Sequence, residues 1–322
     1  MPQVLEPALP ALPSGASAAI AATAATAASP ASIASPASAA VDTHAHVFVR
    51  GLAMSHGRRY TPDYEARPRD YLALLDAHGL SHGVLVQPSF LGTDNDYLVR
   101  ALRAWPSVLR GVAVVAPDVS DDTLQDMARA GVVGIRLNLM GQATPALQAV
   151  PWRDLLERVA ALGWHVEVHL PAGRLPEIMP PLLAAGCPIV VDHFGRPDPA
   201  LGIADPGFAY LLRQADSGRV WVKLSGAYRN WPADQAADAG RAAARQLLRA
   251  YTAARLMWGS DWPHTEHPHI AYGPVRRWLD AWIEDPAQRA VVLGDTPSRF
   301  FQFGRQALSA LSPIVPGPLS AG

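Results

Sequence analysis

Cysteine is almost missing from this sequence: Cys187 is the only one in 322 residues. That excludes an intrachain disulfide, which fits a reducing compartment and an expected cytoplasmic location. Cys187 precedes an apolar run and reads as a buried structural thiol. An excess of either charge is missing too, since 27 Lys and Arg face 28 Asp and Glu. No electrostatic footprint for nucleic acid or an anionic membrane results. No apolar run reaches the roughly 18 residues that a transmembrane helix needs. Lysine is scarcer than arginine to an unusual degree, and Lys223 stands alone. Arginine therefore fills ordinary surface positions, and any one arginine is weak evidence of function. Residues 1–40 lack Lys, Arg and a leucine-like core, so they do not read as a secretory signal, although Ala37-Ser38-Ala39 would suit a cleavage site. Rich in Ala, Ser, Pro and Thr, they read as a disordered leader, and 305–322 reads as a loose tail.

Between them a rhythm runs from 41 to 304. Short Val/Ile/Leu-rich runs are expected as strands at Val41–Phe48, Gly83–Pro88, Gly111–Ala116, Val133–Leu139, His165–Leu170, Pro188–Phe194, Arg219–Ser225 and Arg255–Ser260. Amphipathic segments separate them, with proline or a polar cap in front and glycine behind: Pro68 to Gly79, Asp94 or Asn95 to Pro106, Ser120 to Gly131, Pro151 to Gly163. Pro176–Ala185, Asp205–Ala215, Asp234–Ala254 and Pro274–Ile283 continue the pattern, and Ala287–Phe303 reads as a closing helix. Eight βα units over roughly 260 residues point to an α/β fold, the (β/α)8 TIM barrel, typically about 250 residues long. A doubly wound sheet is the runner-up, but it would carry a Gly-rich turn after the first strand, where this chain has histidines.

In such a barrel the chemistry lies at the C-terminal strand ends. His44 and His46 stand there, two apart on one face of the first strand, with Asp42 expected on that face as well. Such a pair can bind a metal or present two nitrogens to a substrate oxygen. Ser89 follows strand two. Arg136 and Asn138 lie on strand four, and His165, Glu167 and His169 on strand five. Strand six ends Asp192-His193-Phe194-Gly195, and strand seven carries Lys223 and Ser225 before Tyr228 and Arg229. Strand eight ends Trp258-Gly259-Ser260-Asp261-Trp262-Pro263-His264. Four histidines and an aspartate thus converge on one rim, which favours a functional cluster over scattered core residues. The core-histidine reading suits His165 and His169 better than His193. Arg136, at a strand end inside the barrel, is the best anion clamp and Arg229 the second. Arg58, Arg174 and Arg196 are each read as surface residues of rim loops.

Thr43-His44-Ala45-His46, Asp192-His193-Phe194-Gly195 and Trp258-Gly259-Ser260-Asp261-Trp262-Pro263 together resemble the amidohydrolase superfamily. The closest resemblance is to its amidohydrolase-related branch, with 2-pyrone-4,6-dicarboxylate lactonase, 4-sulfomuconolactonase and sugar lactonases. Leu293-Gly294-Asp295-Thr296-Pro297-Ser298-Arg299-Phe300-Phe301 is similar to that branch's last helix. The resemblance implies that Asp261 is the general base. His44, His46 and His193 would stabilise the oxyanion with His169 beside the substrate, and Arg136 and Arg229 would clamp its anions, helped by Tyr60 and Ser89. Binuclear members carry a carboxylated lysine on strand four. Arg136 stands there instead, which argues against a binuclear site. No metal is favoured; if one Zn²⁺ is bound, His44, His46, His169 or His193, and Asp261 would hold it. The expected activity is hydrolysis of a small anionic lactone. The alternatives are a mononuclear zinc amidohydrolase or decarboxylase, a sugar lactonase, and a non-catalytic barrel that binds small acids. No nucleic-acid or membrane partner is expected, and homo-oligomerisation is left open.

Overall fold

The computed structural model describes residues 39–303, so the expected leader and tail lie outside the described residues. Eight parallel strands run side by side in sequence order: β1 (Val41–Ala45), β2 (His82–Val86), β3 (Leu109–Ala113), β4 (Val132–Asn138), β5 (His165–His169), β6 (Ile189–Val191), β7 (Val220–Leu224) and β8 (Leu256–Trp258). The ring closes beyond the end of β8. There Ala45 pairs with Trp262, the His46 amide donates to the Trp262 carbonyl at 2.7 Å, and the Asp261 amide donates to the His44 carbonyl at 2.7 Å. The closing contacts thus join the two segments richest in candidate residues.

The outer layer consists of α1 (Pro68–Ala77), α2 (Asp96–Ala104), α3 (Asp121–Ala130), α4 (Val150–Ala161), α5 (Leu175–Ala185), α6 (Pro206–Arg213), α7 (Ala227–Asn230), α8 (Ala236–Tyr251), α9 (Tyr272–Trp282), α10 (Pro286–Ala290) and α11 (Thr296–Phe300). The punctuation works as the sequence suggests: Ser120 Oγ accepts from the Thr123 amide at 3.2 Å, and Gly131 ends α3 at φ +105°. At α2 the first of the two expected caps, Asp94, takes the role. Asp94 Oδ1 accepts from the Asp96 amide at 3.1 Å, while buried Asn95 turns inward and holds both backbone groups of Val114. The closing segment is helical without a break from Pro286 to Phe300, close to expectation. A π-helical stretch, Val291–Asp295, joins α10 to α11, because Pro297 has no N–H to continue an α-helical ladder. The short α7 was not expected; it aims Tyr228 and Arg229 at the barrel mouth.

Besides a small cluster of Phe48, Ala66, Phe90 and Leu91, two larger apolar regions result. The larger fills the space between sheet and helices and includes Cys187, as expected. The smaller plugs the barrel floor with Val41, Val84, Val112, Val190, Met257 and Phe301. The plug leaves the opposite end of the barrel for polar groups.

Candidate active site

β1 sets the frame. Asp42 pairs with Gly83 and Ala45 with Leu85, three steps on one strand against two on the other. The extra residue is a bulge, which breaks the alternation of faces. Asp42 therefore does not share the face of His44 and His46. Its Oδ1 accepts from the amides of His44 at 3.2 Å and Ser260 at 2.8 Å, and its Oδ2 accepts from Tyr272 on α9 at 2.9 Å. Asp42 ties the loop after β8 to β1. The two histidines face the mouth.

His46 Nδ1 donates to the Val86 carbonyl at 2.7 Å, so its Nε2 points into the mouth, 3.6 Å from Asp261 Oδ1. His44 Nε2 lies 3.9 Å from the same oxygen. Asp261 Oδ1 has no hydrogen-bond partner, whereas Oδ2 accepts from Tyr228 at 2.7 Å and from Arg229 Nε. Burial would raise the Asp261 pKa, but Arg229 and His193 outweigh it and hold the carboxyl well below the usual range. The result is an ionised carboxylate with one committed oxygen and one open oxygen.

His193 follows β6. Its Nδ1 meets Ser225 Oγ at 2.8 Å, and its ring centroid lies 4.8 Å from that of His44 and 4.9 Å from that of His169. Burial pushes His193 down to about 3 and puts His169 well below its ordinary value, so both rings are neutral at pH 7. Close approach here requires glycine at 226. A Cβ there would sit 2.8 Å from His193 Nδ1 and 3.2 Å from Asp261 Oδ2. Non-glycine residues with positive φ gather in the same two loops: His193, Phe194, Arg196, Asp261, His264 and Glu266. Each costs on the order of 1 kcal/mol, which the surrounding hydrogen bonds offset.

Under the histidines lies an ionic quartet. Arg136 donates through Nε and Nη2 to Asp192 Oδ2 at 3.0 and 2.8 Å, and its Nε is 3.3 Å from Glu167 Oε1. Lys223 Nζ bonds Glu167 Oε2 and lies 3.7 Å from Asp192 Oδ1. Two cations against two carboxylates make such burial tolerable. Burial would raise the Asp192 pKa as well, but Arg136, His44 and Lys223 hold it well below the usual range. Burial and the Asp192 charge push Glu167 up to about 7, against the pull of Lys223 and Arg136.

Comparison with known proteins places this arrangement. A profile described as amidohydrolase matches residues 41–303. The chain belongs to the amidohydrolase family. It is 34% identical over 236 residues to a 2-pyrone-4,6-dicarboxylate hydrolase of Comamonas testosteroni, covering 70% of this chain and 77% of that protein. It is 31% identical to a 4-sulfomuconolactone hydrolase of Rhizobium radiobacter, covering 81% and 89%. A solved structure from Pseudomonas putida, named as a candidate 2-pyrone-4,6-dicarboxylic acid hydrolase, superposes with a TM-score of 0.78 at 48% identity, over 83% of this chain and 99% of that one.

In this amidohydrolase a cleft opens at the mouth, bordered by His46, Tyr60, Ser89, Arg136, His169, His193, Arg229 and Asp261. Every candidate site residue except His44 lines it; His44 lies deeper, fully buried. His165 is elsewhere, at the floor. The arginines differ from expectation, because neither is a free clamp. Arg136 is spent on Asp192, and Arg229 on Asp261 and on Thr265 Oγ1 at 3.2 Å, so each keeps only Nη1 for a ligand. Arg59, missed in the sequence, borders the cleft and makes no hydrogen bond or ion pair among the described residues. Its neighbour Arg58 is exposed, as expected, with Nε turned to Thr61 at 2.7 Å. The one signal for Arg59 was its position beside Tyr60.

His44, His46 and Asp261 have ligand atoms close enough to share one ion, as do His44, Asp192 and His193. Charge opposes both sets. Arg229 already sits on Asp261, Arg136 on Asp192, and Lys223 Nζ is 3.2 Å from His44 Nδ1. A divalent cation would add to carboxylates that are already neutralised, and the residues as arranged do not fit one. No helix among the described residues is long and apolar enough to cross a membrane.

Proposed function

We propose that this amidohydrolase, a lactone hydrolase, opens the ring ester of a small lactone that carries carboxylates, with water activated at Asp261. The observation that carries the reading is the open oxygen of Asp261, ionised and aimed into the mouth between His44 and His46. Water held there loses a proton to Oδ1 as its oxygen attacks the ring carbonyl carbon. A carboxylate with a depressed pKa is a weak base, so transfer becomes favourable only as the new C–O bond forms and the water oxygen acidifies; positioned transfer of this kind contributes about 10²–10⁴-fold. His193, neutral and at the cleft wall, is placed to hydrogen-bond the carbonyl oxygen as charge develops. The tetrahedral intermediate then collapses, the ring C–O bond breaks, and the proton on Asp261 passes to the departing oxygen. One lactone and one water give one hydroxy acid, or its keto form.

Arg59 and the free Nη1 atoms of Arg136 and Arg229, with Tyr60 and Ser89, supply a cationic and hydrogen-bonding rim for carboxylates. The relatives named above act on a pyrone dicarboxylate and a sulfomuconolactone, both anionic lactones. A panel of lactones with and without carboxylates, read by proton release, tests the proposal. Turnover is expected for the carboxylated members and not for neutral ones. Equal turnover of neutral lactones removes the anion rim from the account.

A further inference from the structure

His44 meets different chemistry at its two ring nitrogens. On the Nδ1 side stand Lys223 Nζ at 3.2 Å, Asp192 Oδ1 at 3.3 Å and Glu167 Oε1 at 3.6 Å. The lysine is the nearest of the three; Asp192 Oδ1 is also within hydrogen-bond reach of Nδ1 and would take its proton if Nδ1 carried one. On the other side Nε2 is buried, unpartnered and turned towards Asp261. An ammonium has three protons to give and no lone pair to accept with. Where His44 Nδ1 takes the nearer lysine contact it accepts, and the single proton of a neutral imidazole is then on Nε2.

We propose that Lys223 locks His44 in the Nε2–H tautomer and so acts as a positioning residue for the attacking water. The proposal rests on the reading of Asp261 as the base. His46 is held in the opposite tautomer, because a carbonyl can only accept and Val86 O therefore keeps the His46 proton on Nδ1. The His-x-His pair is thus one donor and one acceptor, both beside Asp261 Oδ1. A water there gives one proton to Asp261 Oδ1 and the other to His46 Nε2, accepts from His44 Nε2–H, and keeps one lone pair for the carbonyl carbon. Were the His44 proton on Nδ1 instead, bare Nε2 would repel the water oxygen. It would also join His46 Nε2 and Asp261 Oδ1 as a third free ligand atom for a divalent cation. One lysine serves both ends: it orients the nucleophile and keeps a metal out.

The deciding measurement is a two-bond ¹H–¹⁵N correlation spectrum of the wild-type protein labelled at histidine nitrogens, with His44 assigned by loss of its signals in His44→Gln. Protonated Nε2 and bare Nδ1 are expected; protonated Nδ1 overturns the proposal. Lys223→Met leaves a buried carboxylate uncompensated, so the double variant Lys223→Met/Glu167→Gln, which keeps the network balanced, accompanies it. In the variant that folds, the His44 proton should move to Nδ1, Zn²⁺ affinity by calorimetry should rise at least ~10-fold, and kcat should fall ~10²-fold with KM little changed. Glu167→Gln alone damages the network but keeps the lysine, and it should retain the wild-type tautomer and gain no metal. A double variant that keeps Nε2–H, or a Glu167→Gln protein that loses it, overturns the proposal. If Asp261 is not the base, Asp261→Asn keeps its turnover while the His44 spectrum is unaffected, so the two failures are distinguishable.

Discussion

β5 carries a histidine at each end, and the two lead different lives. His165 sits at the floor, its ring 5.1 Å from Phe300 and 5.5 Å from Phe301, above the apolar plug. His169 stands at the mouth, edge-on to His193 and open to the cleft. Both point into the barrel, since four residues along a strand return to the same face. Between them, Glu167 enters the ionic quartet. Residue type and strand face are therefore equal, and height along the barrel axis separates a ring packed at the floor from one that borders the cleft. Floor changes should cost stability without chemistry, and mouth changes should cost chemistry first.

The largest expected effect belongs to the mouth. Asp261→Asn removes the open carboxylate oxygen, and kcat on a carboxylated lactone should fall about 10²–10⁴-fold. Wild-type turnover would break the contrast at its strongest point. Phe301→Ala at the floor empties part of the plug and should cost about 3–5 kcal/mol in urea unfolding, with kcat per folded molecule unchanged. A large fall in kcat there would mean that floor packing shapes the mouth. The third effect is a pH dependence. Burial pushes His165 down to about 3. Between that value and the ordinary 6.5 the unfolded chain binds the proton and the folded one does not. Stability is therefore full above about 6.5 and lost as pH falls towards 3, by up to about 1.4 kcal/mol per pH unit from this one group. His165→Leu should flatten the slope of unfolding free energy between pH 4 and 6 by close to one proton, and an unchanged slope would place the titration elsewhere. The smallest effect is at Tyr228. Tyr228→Phe removes a hydroxyl from Asp261 Oδ2, and kcat should drop about 10-fold while Arg229 still holds the carboxylate.

The fold was largely legible because its signals are local. Valine-rich runs mark the eight strands, and Ser120, Asp205 and Gly131 punctuate the helices through their own backbone neighbourhoods. The convergence of His44, His46, His193 and Asp261 was legible too, since strand ends of a closed barrel must meet. What escaped was everything set by register or partner. Period-two reading put Asp42 beside the histidines, and the bulge between Asp42 and Ala45 turned it to Tyr272. Arg136 and Arg229 read simply as anion clamps because a sequence does not show that Asp192 and Asp261 lie within hydrogen-bond reach of them. Glu167 and Lys223, on β5 and β7, were visible on the right faces, but nothing local said that they would pair.

By itself, then, the sequence determined the order of elements, the barrel and the rim on which the chemistry gathers, because periodicity, caps and strand ends are short-range properties of the chain. Only the tertiary structure decided which charges neutralise each other, which carboxylate oxygen stays open, and which way each imidazole faces. Those outcomes depend on distances of 3 to 4 Å between residues far apart in the chain, such as His44 and Lys223, and on burial that makes each unpaired charge costly.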